Sequence, residues 1–307
     1  MVDNGSFDGC GERLGREHPG VKFLQSYSNL GFACANNLGV QQSSGEVLLF
    51  LNPDTVVLDR AIEKLYRHFL TVKKPGVIGC RLLNTDGSVQ TSCVQARPTV
   101  LNQVLDAEIL RHWFPRSKLW GTKVLYEAGQ GLREVEAVSG ACMMIRREVF
   151  DRVNGFSSEY FMYAEDLDLC FKAERAGFRN YHLDEAVVVH HGGGSSERTI
   201  NQFCTVMTHE SMNLFLRNSR GGLYSSFYRL SMSGAAVVRL AVICLLFPAW
   251  RVFGQTGKWN IAFRKWLIAL RWGLGLERWT RQYKQENQCS GRQPGAVEIS
   301  RGRSSEN

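Results

Sequence analysis

The sequence predicts an α/β fold, a mostly parallel sheet with helices on both faces, followed by amphipathic C-terminal helices. Three observations carry this. Up to about residue 200, short apolar runs alternate with helical patterns, as in strands joined by crossover helices. After residue 205 the composition turns to long apolar stretches flanked by Lys, Arg and Trp. Apolar runs also stop abruptly in polar turns, and the carboxyl ends of strands are where an open α/β sheet binds its ligands.

The strand-like runs are residues 21–26, 46–51, 77–82, 141–146 and 186–190. Between them the spacing predicts helices over 33–43, after the turn Asn29-Leu30-Gly31, over 58–71, and over 167–176, where Gly177 is placed to close the helix as its C′ residue. Residues 99–134 are less regular, with Trp113, Pro115, Trp120 and three glycines, and read as a binding loop or lid.

With 307 residues, 44% hydrophobic and 21% charged, the chain has room for one α/β domain and an appendage. Its nine cysteines occur singly, with no CxxC pair and an odd total, which predicts reduced thiols. The opening MVDNGSFDGC has no apolar segment of the signal-peptide kind, so a cytoplasmic location is expected. The net charge of +8 fits nucleic acid, anionic lipid or phosphorylated substrates equally. Nucleic acid is disfavoured, because no recognition motif is present and the cations gather around the C-terminal apolar helices.

Those cations are Arg229, Arg251, Lys258, Arg264, Lys265 and Arg271, interleaved with Trp250, Trp259, Trp266 and Trp272. The apolar run 233–250 contains Arg239, meets Pro248 and is shorter than the roughly 20 residues of a spanning helix. A helix pair lying in the lipid interface is therefore expected, peripheral on the inner face of the cell membrane. Packing of these helices on the preceding domain is the other reading. The expected divisions are 1–204, 205–287 and a polar, unstructured tail, 288–307.

Three clusters can carry chemistry. In residues 48–55 (LLFLNPDT) an apolar run ends at Asn52, Pro53 and Asp54, and a carboxylate there suits Mg²⁺ or Mn²⁺ holding a diphosphate. A plain proline turn is the simpler alternative. In residues 163–170 (YAEDLDLC), Glu165, Asp166 and Asp168 precede a helix. Capping explains one or two of them, whereas crowding would raise one pKa and create a general base. In residues 187–196 (VVVHHGGGSS), His190 ends a β-branched run and can join a metal site, while the glycines let backbone amides approach phosphate oxygens.

The motifs VDNGSFDG (2–9), NLGFACANNLGV (29–40), LNPDT (51–55), SGACMMIRREVFDRVNGF (139–156), FMYAEDLDLCFKAERAGF (161–178) and HHGGGSS (190–196) together resemble the inverting glycosyltransferase family 2. The likeness is to its rhamnosyltransferase-like bacterial branch, which builds cell-surface polysaccharides, and it runs from residue 2 to about residue 196, more weakly over 209–217. The resemblance implies a GT-A nucleotide-diphospho-sugar transferase fold. It also implies a divalent cation, a nucleotide-diphosphate sugar donor, and a glycan or lipid-linked acceptor. Carried over residue by residue, it puts the donor's base and ribose at Asp3, with Asn4 and Ser6 shaping that turn, and Gly31 and Asn36 against the nucleotide. Asp54 falls at the last position of the DxD-type metal motif, whose first position here is Asn52, and His190 supplies a later metal contact. Asp166 falls at the general base, with Glu165 and Asp168 as orienting neighbours, and Ser195 closes the histidine loop.

Members of the family open with a hydrophobic strand and helix ahead of the VDNGS turn, and here that turn starts at Val2. The resemblance therefore implies that the first strand is missing from this sequence, through a start placed too late or a truncation. Loss of a buried parallel strand leaves unpaired backbone and an apolar slot. The reading from another class is accordingly a non-catalytic sugar-nucleotide-binding or membrane-scaffolding remnant.

Overall fold

The computed structural model describes residues 1–105, 113, 114, 117, 131–192, 202–252, 254, 256–286, 299 and 300. The chain runs β1 (Val2–Asp3), α1 (Cys10–Glu17), β2 (Phe23–Gln25), α2 (Gly31–Gln41), β3 (Val47–Leu51), β4 (Thr55–Val57), α3 (Ala61–Thr71) and β5 (Pro75–Leu83). It continues with β6 (Val94–Gln95), α4 (Val100–Val104), β7 (Leu132–Val135), β8 (Ala137–Val138), β9 (Cys142–Arg146), α5 (Arg147–Arg152), α6 (Glu165–Arg175) and β10 (Arg179–His190). Every apolar run singled out as a strand forms one, the last as the end of the 12-residue β10.

The sheet is mixed, which corrects the expectation of a mostly parallel one. Parallel pairs are β1 with β2 and β5 with β10. β9 lies between β3 and β5, antiparallel to both, and β4 and β7 pair antiparallel with β10. The reason lies in the connections. β4 follows β3 after a three-residue turn, too short for the crossover helix that keeps successive strands parallel, so it runs opposite to β3 and to β10. β1 and β2 form a sheet separate from the six-stranded one, and among the described residues no strand joins β1 to β3.

Side-chain alternation splits the core into two layers. Met143 and Ile145 of β9 join Val77, Leu48 and Phe50 in one layer, with residues of α2, α5 and α6. Cys142 and Met144 join Ile78, Cys80 and the α3 residues Ala61, Leu65 and Phe69 in the other. Helix α6 ends as predicted at Gly177, whose φ is 89°; its N–H donates to Glu174 O at 2.9 Å and that of Phe178 to Ala173 O at 3.1 Å.

The C-terminal region is α7 (Gln202–Arg220), α8 (Gly222–Leu245), α9 (Phe247–Val252), α10 (Thr256–Gly273) and α11 (Thr280–Glu286). Phe215, Tyr228 and Trp272 belong to the same core layer as Val77, so these helices pack on the sheet domain. Two residues of the tail expected to be unstructured form β11 (Ile299–Ser300), antiparallel to β2. The other residues of 288–307, and most of the expected lid after α4, lie outside the described residues. Cys10, Cys80, Cys93, Cys142, Cys170, Cys204 and Cys244 are free thiols; Cys34 is disulfide-bonded, which corrects the all-thiol reading there.

Asn180, only 2% exposed, ties three elements together: it accepts from Val77 N at 3.0 Å and donates to Cys170 O at 2.9 Å and Glu136 O at 3.1 Å. Asn180→Ala leaves these buried groups unpaired and is expected to lower stability by about 3 kcal/mol, read as a lower urea midpoint at unchanged slope.

Candidate active site

The turn after β1 is built around Asp3. Its Oδ1 accepts from Ser6 N at 2.9 Å and Ser6 Oγ at 2.8 Å, and its Oδ2 from Gln25 Nε2 at 2.9 Å and Phe7 N at 3.3 Å. Burial pushes the carboxyl up, but these hydrogen bonds outweigh it and hold Asp3 below its ordinary value. Asn4 staples this turn to the next one, accepting from Leu30 N at 2.8 Å and donating to Asn29 Oδ1 at 3.0 Å and Gly31 O at 3.2 Å. Gly31 has φ 75°, and a Cβ there would lie 2.4 Å from Phe161 O, so only glycine fits. Asn36 bonds back within its own helix to Phe32 O at 2.9 Å. Its neighbour Asn37 reaches across instead, donating to Phe156 O at 2.8 Å and accepting from Phe156 N at 3.0 Å.

Asp54 and His190, far apart in sequence, meet because β4 pairs with the end of β10 in a register that sets His190 opposite Thr55. Asp54 Oδ1 lies 3.4 Å from His190 Nε2; the imidazole is mostly buried and the carboxylate 43% exposed. Gln90 Oε1 lies 2.9 Å from His190 Nδ1 and Asn52 Nδ2 lies 3.2 Å from Nε2. With the Gln90 amide oxygen facing it, Nδ1 is the donor, and in the neutral imidazole this leaves the Nε2 lone pair on the same side as Asp54. An imidazole nitrogen and a carboxylate, partly open to solvent, form a donor pair that suits a divalent cation whose remaining ligands are phosphate and water.

The acidic motif divides in two. Helix α6 starts from Tyr163 and Ala164, both left-handed at φ 72° and 63°, a strained entry for residues with side chains. Asp166 keeps part of its surface open and accepts from Gly140 N at 2.8 Å, Gln95 Nε2 at 3.2 Å and Leu167 N at 2.7 Å. Burial raises its pKa, opposed by these bonds. Glu165 is 7% exposed, its Oε2 has no hydrogen-bond partner among the described residues, and burial, then the charge of Asp166, pushes its pKa to about 8. Asp168 is not part of a crowded trio. It accepts from Ser157 Oγ at 2.6 Å and pairs with Lys172 Nζ at 3.3 Å, because two residues along a helix is a rotation of about 200° and turns it away from Asp166.

Gln90 and Gln95 are the site residues the sequence reading missed; lone glutamines carry no motif, and both lie on turns and short strands following β5. Ser195 lies outside the described residues.

The profile described as "Glycosyltransferase like family 2" matches residues 10–210. The chain belongs to this family. An N-acetylglucosaminyl-diphospho-decaprenol L-rhamnosyltransferase from Mycobacterium tuberculosis is 29% identical over 251 residues, 78% of this chain and 80% of the relative. The rhamnosyltransferase WbbL of Escherichia coli (strain K12) is 27% identical over 168 residues, 52% of this chain and 61% of its own. Among solved structures, the mannosyltransferase PcManGT from Pyrobaculum calidifontis, in complex with GDP-Man and Mn²⁺, aligns with a TM-score of 0.51 at 15% identity over 90% of this chain and 77% of that one. GalNAc-T7 with UDP, GalNAc and Mn²⁺ aligns at 0.52 and 14% over 76% of this chain and 44% of that one. These likenesses establish the GT-A fold, and with the family they make this chain a rhamnosyltransferase-like family 2 glycosyltransferase.

In this glycosyltransferase the raised pKa of Glu165 has a definite sign. The folded state holds a proton that the unfolded state releases near 4.5, so the stability contributed by this group is full below about pH 4.5 and is lost as pH rises towards about 8. Melting temperatures measured across that window should show Glu165→Gln gaining on the parent as pH rises, with no further divergence above pH 8.

Proposed function

We propose that the chain transfers a sugar, with inversion, from a nucleotide-diphosphate donor to a cell-surface polysaccharide or lipid-linked acceptor. The single observation that carries this is the arrangement of Asp166, partly open, raised in pKa by burial and held by Gly140 N and Gln95. A carboxylate so fixed can take the proton of an acceptor hydroxyl as its oxygen attacks the anomeric carbon, while the nucleoside diphosphate leaves from the opposite face. Glu165 keeps a neutral carboxyl beside it and limits the repulsion that a second charge would bring, and Asp168 holds the helix through Ser157 and Lys172. On the donor side the turn of Asp3, Asn4 and Ser6, with Gly31, Asn36 and Ser195, is assigned to the nucleotide.

Asp54 and His190 would hold a divalent cation, Mg²⁺ or Mn²⁺, supplying Lewis-acid stabilisation of the departing diphosphate. Manganese in PcManGT and GalNAc-T7 is in keeping with such a cation. A rhamnosyl donor and an acceptor carried on a lipid diphosphate are the choices that the mycobacterial relative's name supports. We assign residues 1–204 to transfer, 205–287 to peripheral attachment on the cytoplasmic face of the membrane, and 288–307 to a tail.

The test is turnover of a nucleotide-sugar panel with Mn²⁺, Mg²⁺ or chelator. Asp166→Asn should lower kcat on the order of a thousandfold with little change in donor binding. Asp54→Ala and His190→Ala should raise the metal concentration needed for half-maximal rate. A folded chain that binds no sugar nucleotide with any metal would instead be the non-catalytic scaffold.

A further inference from the structure

Helix α8 is turned inside out relative to an ordinary surface helix. Its outward stripe, with Leu223 91%, Phe227 57%, Leu230 71%, Val238 63% and Leu245 79% exposed, carries no charge. Both its arginines point inward. Arg229 donates to Trp272 O at 2.6 Å and Gly273 O at 3.0 Å; Arg239 donates to Val104 O at 2.7 Å and lies over the Trp266 ring at 4.1 Å. From residue 223 to 245 the stripe runs about 33 Å at the helical rise of ~1.5 Å, longer than the scattered apolar contacts of a water-exposed surface.

By length and composition α8 could cross a membrane, with a mean hydropathy of 1.4. Its inner side is nevertheless tied to the protein along its length, from Tyr224, whose hydroxyl accepts from Val100 N at 3.2 Å, to Ile243, whose carbonyl accepts from Trp259 Nε1 at 2.9 Å. A helix held against α4 of the folded domain at Tyr224 and again at Arg239, about four turns further on, cannot stand across a bilayer, but it can lie along one.

Helix α10 runs antiparallel beside α8, since Arg229 meets Gly273 while Ile243 meets Trp259. Its exposed surface mixes Lys258, Arg264 and Lys265 with Ile261 and Leu267. Residues 221–283 hold nine Lys and Arg and a single acid, Glu277, which is 5% exposed and paired with Arg271 at 2.7 Å. A second copy of the chain would set this cationic surface against itself, whereas an anionic bilayer complements both the charge and the apolar stripe.

We infer that α8 lies flat in one leaflet of an anionic bilayer, its outward stripe among the acyl chains and the α10 cations at the lipid phosphates. This rests on the membrane attachment proposed above and adds its orientation, its residues and its lipid class. The test is cosedimentation of the full chain with vesicles of phosphatidylcholine alone or with phosphatidylglycerol, alongside circular dichroism and size-exclusion chromatography of each variant. Binding is expected on the anionic vesicles. Leu230→Asp or Val238→Asp, both outward, should each weaken it on the order of tenfold, and Lys258→Glu or Lys265→Glu on the order of fivefold or more, with the fold intact. Carbonate should extract the chain from cell membranes. If Val238→Asp and Leu230→Asp bind as the parent does, another surface attaches the chain and the inference falls while attachment stands. No binding by the parent ends both. Resistance to carbonate means a spanning helix, and a dimer broken by Val238→Asp without vesicle binding means a second copy covers the stripe; either overturns the inference.

Discussion

The hydrogen bond from Phe32 N to Phe161 O, 2.9 Å long and closed over Gly31, is the contact on which the site's arrangement depends. It joins the start of α2, which Asn4 ties to the turn after β1, to the loop that delivers Glu165 and Asp166. Because a Cβ at Gly31 would collide with that carbonyl, the two halves can approach this closely only through glycine. The next carbonyl, Met162 O, is held from the other side by Ser211 Oγ of α7 at 2.7 Å. Held on both sides, the loop can keep Tyr163 and Ala164 in left-handed geometry, which costs on the order of 1–3 kcal/mol per residue and persists only where neighbours over-determine it.

The pair Asp54 and His190 depends on a different constraint, the register of one long strand. β10 pairs with β5 along most of its length, with an irregularity between Leu183 and Val187, and its far end zips to β4. The irregularity matters because a one-residue slip would turn His190 to the other face of the sheet, away from Asp54. Gln90 then fixes which imidazole nitrogen carries the proton, so backbone pairing sets the position of the ring and one amide sets its chemistry.

Much of this was legible in the sequence, for reasons that also explain what was not. Apolar runs ending in polar turns identified the strands and brought Asp54, Asp166 and His190 into consideration, because burial and turn formation leave strong local signals. The direction of β9 was hidden, since periodicity reports a strand without its partner or its direction. Asp168 was assigned with Glu165 and Asp166 by proximity along the chain, although helical rotation carries it to the side opposite Asp166, where Lys172 meets it. Asn36 and Asn37 are indistinguishable by composition, and only the second bridges to Phe156. Gln90 and Gln95 could not be found at all, because their importance comes from strands that meet far from them in sequence.

Helix α8 shows the same limit in hydropathy. An average over the run 233–250 counts Arg239 against lipid contact, yet the direction of that side chain reverses its meaning. Bonded inward to Val104 O, the arginine strengthens the attachment of the helix to the domain and leaves the outer stripe wholly apolar. The helix that links this stripe to the chemistry is α7. Ser211 on α7 grips the loop before Glu165, and its neighbour Glu210 accepts from Trp272 Nε1 of α10 at 2.7 Å. Consecutive residues of one rigid helix therefore hold the carboxylate loop and the proposed lipid-facing hairpin. Attachment to a bilayer through that hairpin would orient the acceptor side of the site as well, with no flexible linker between them among the described residues.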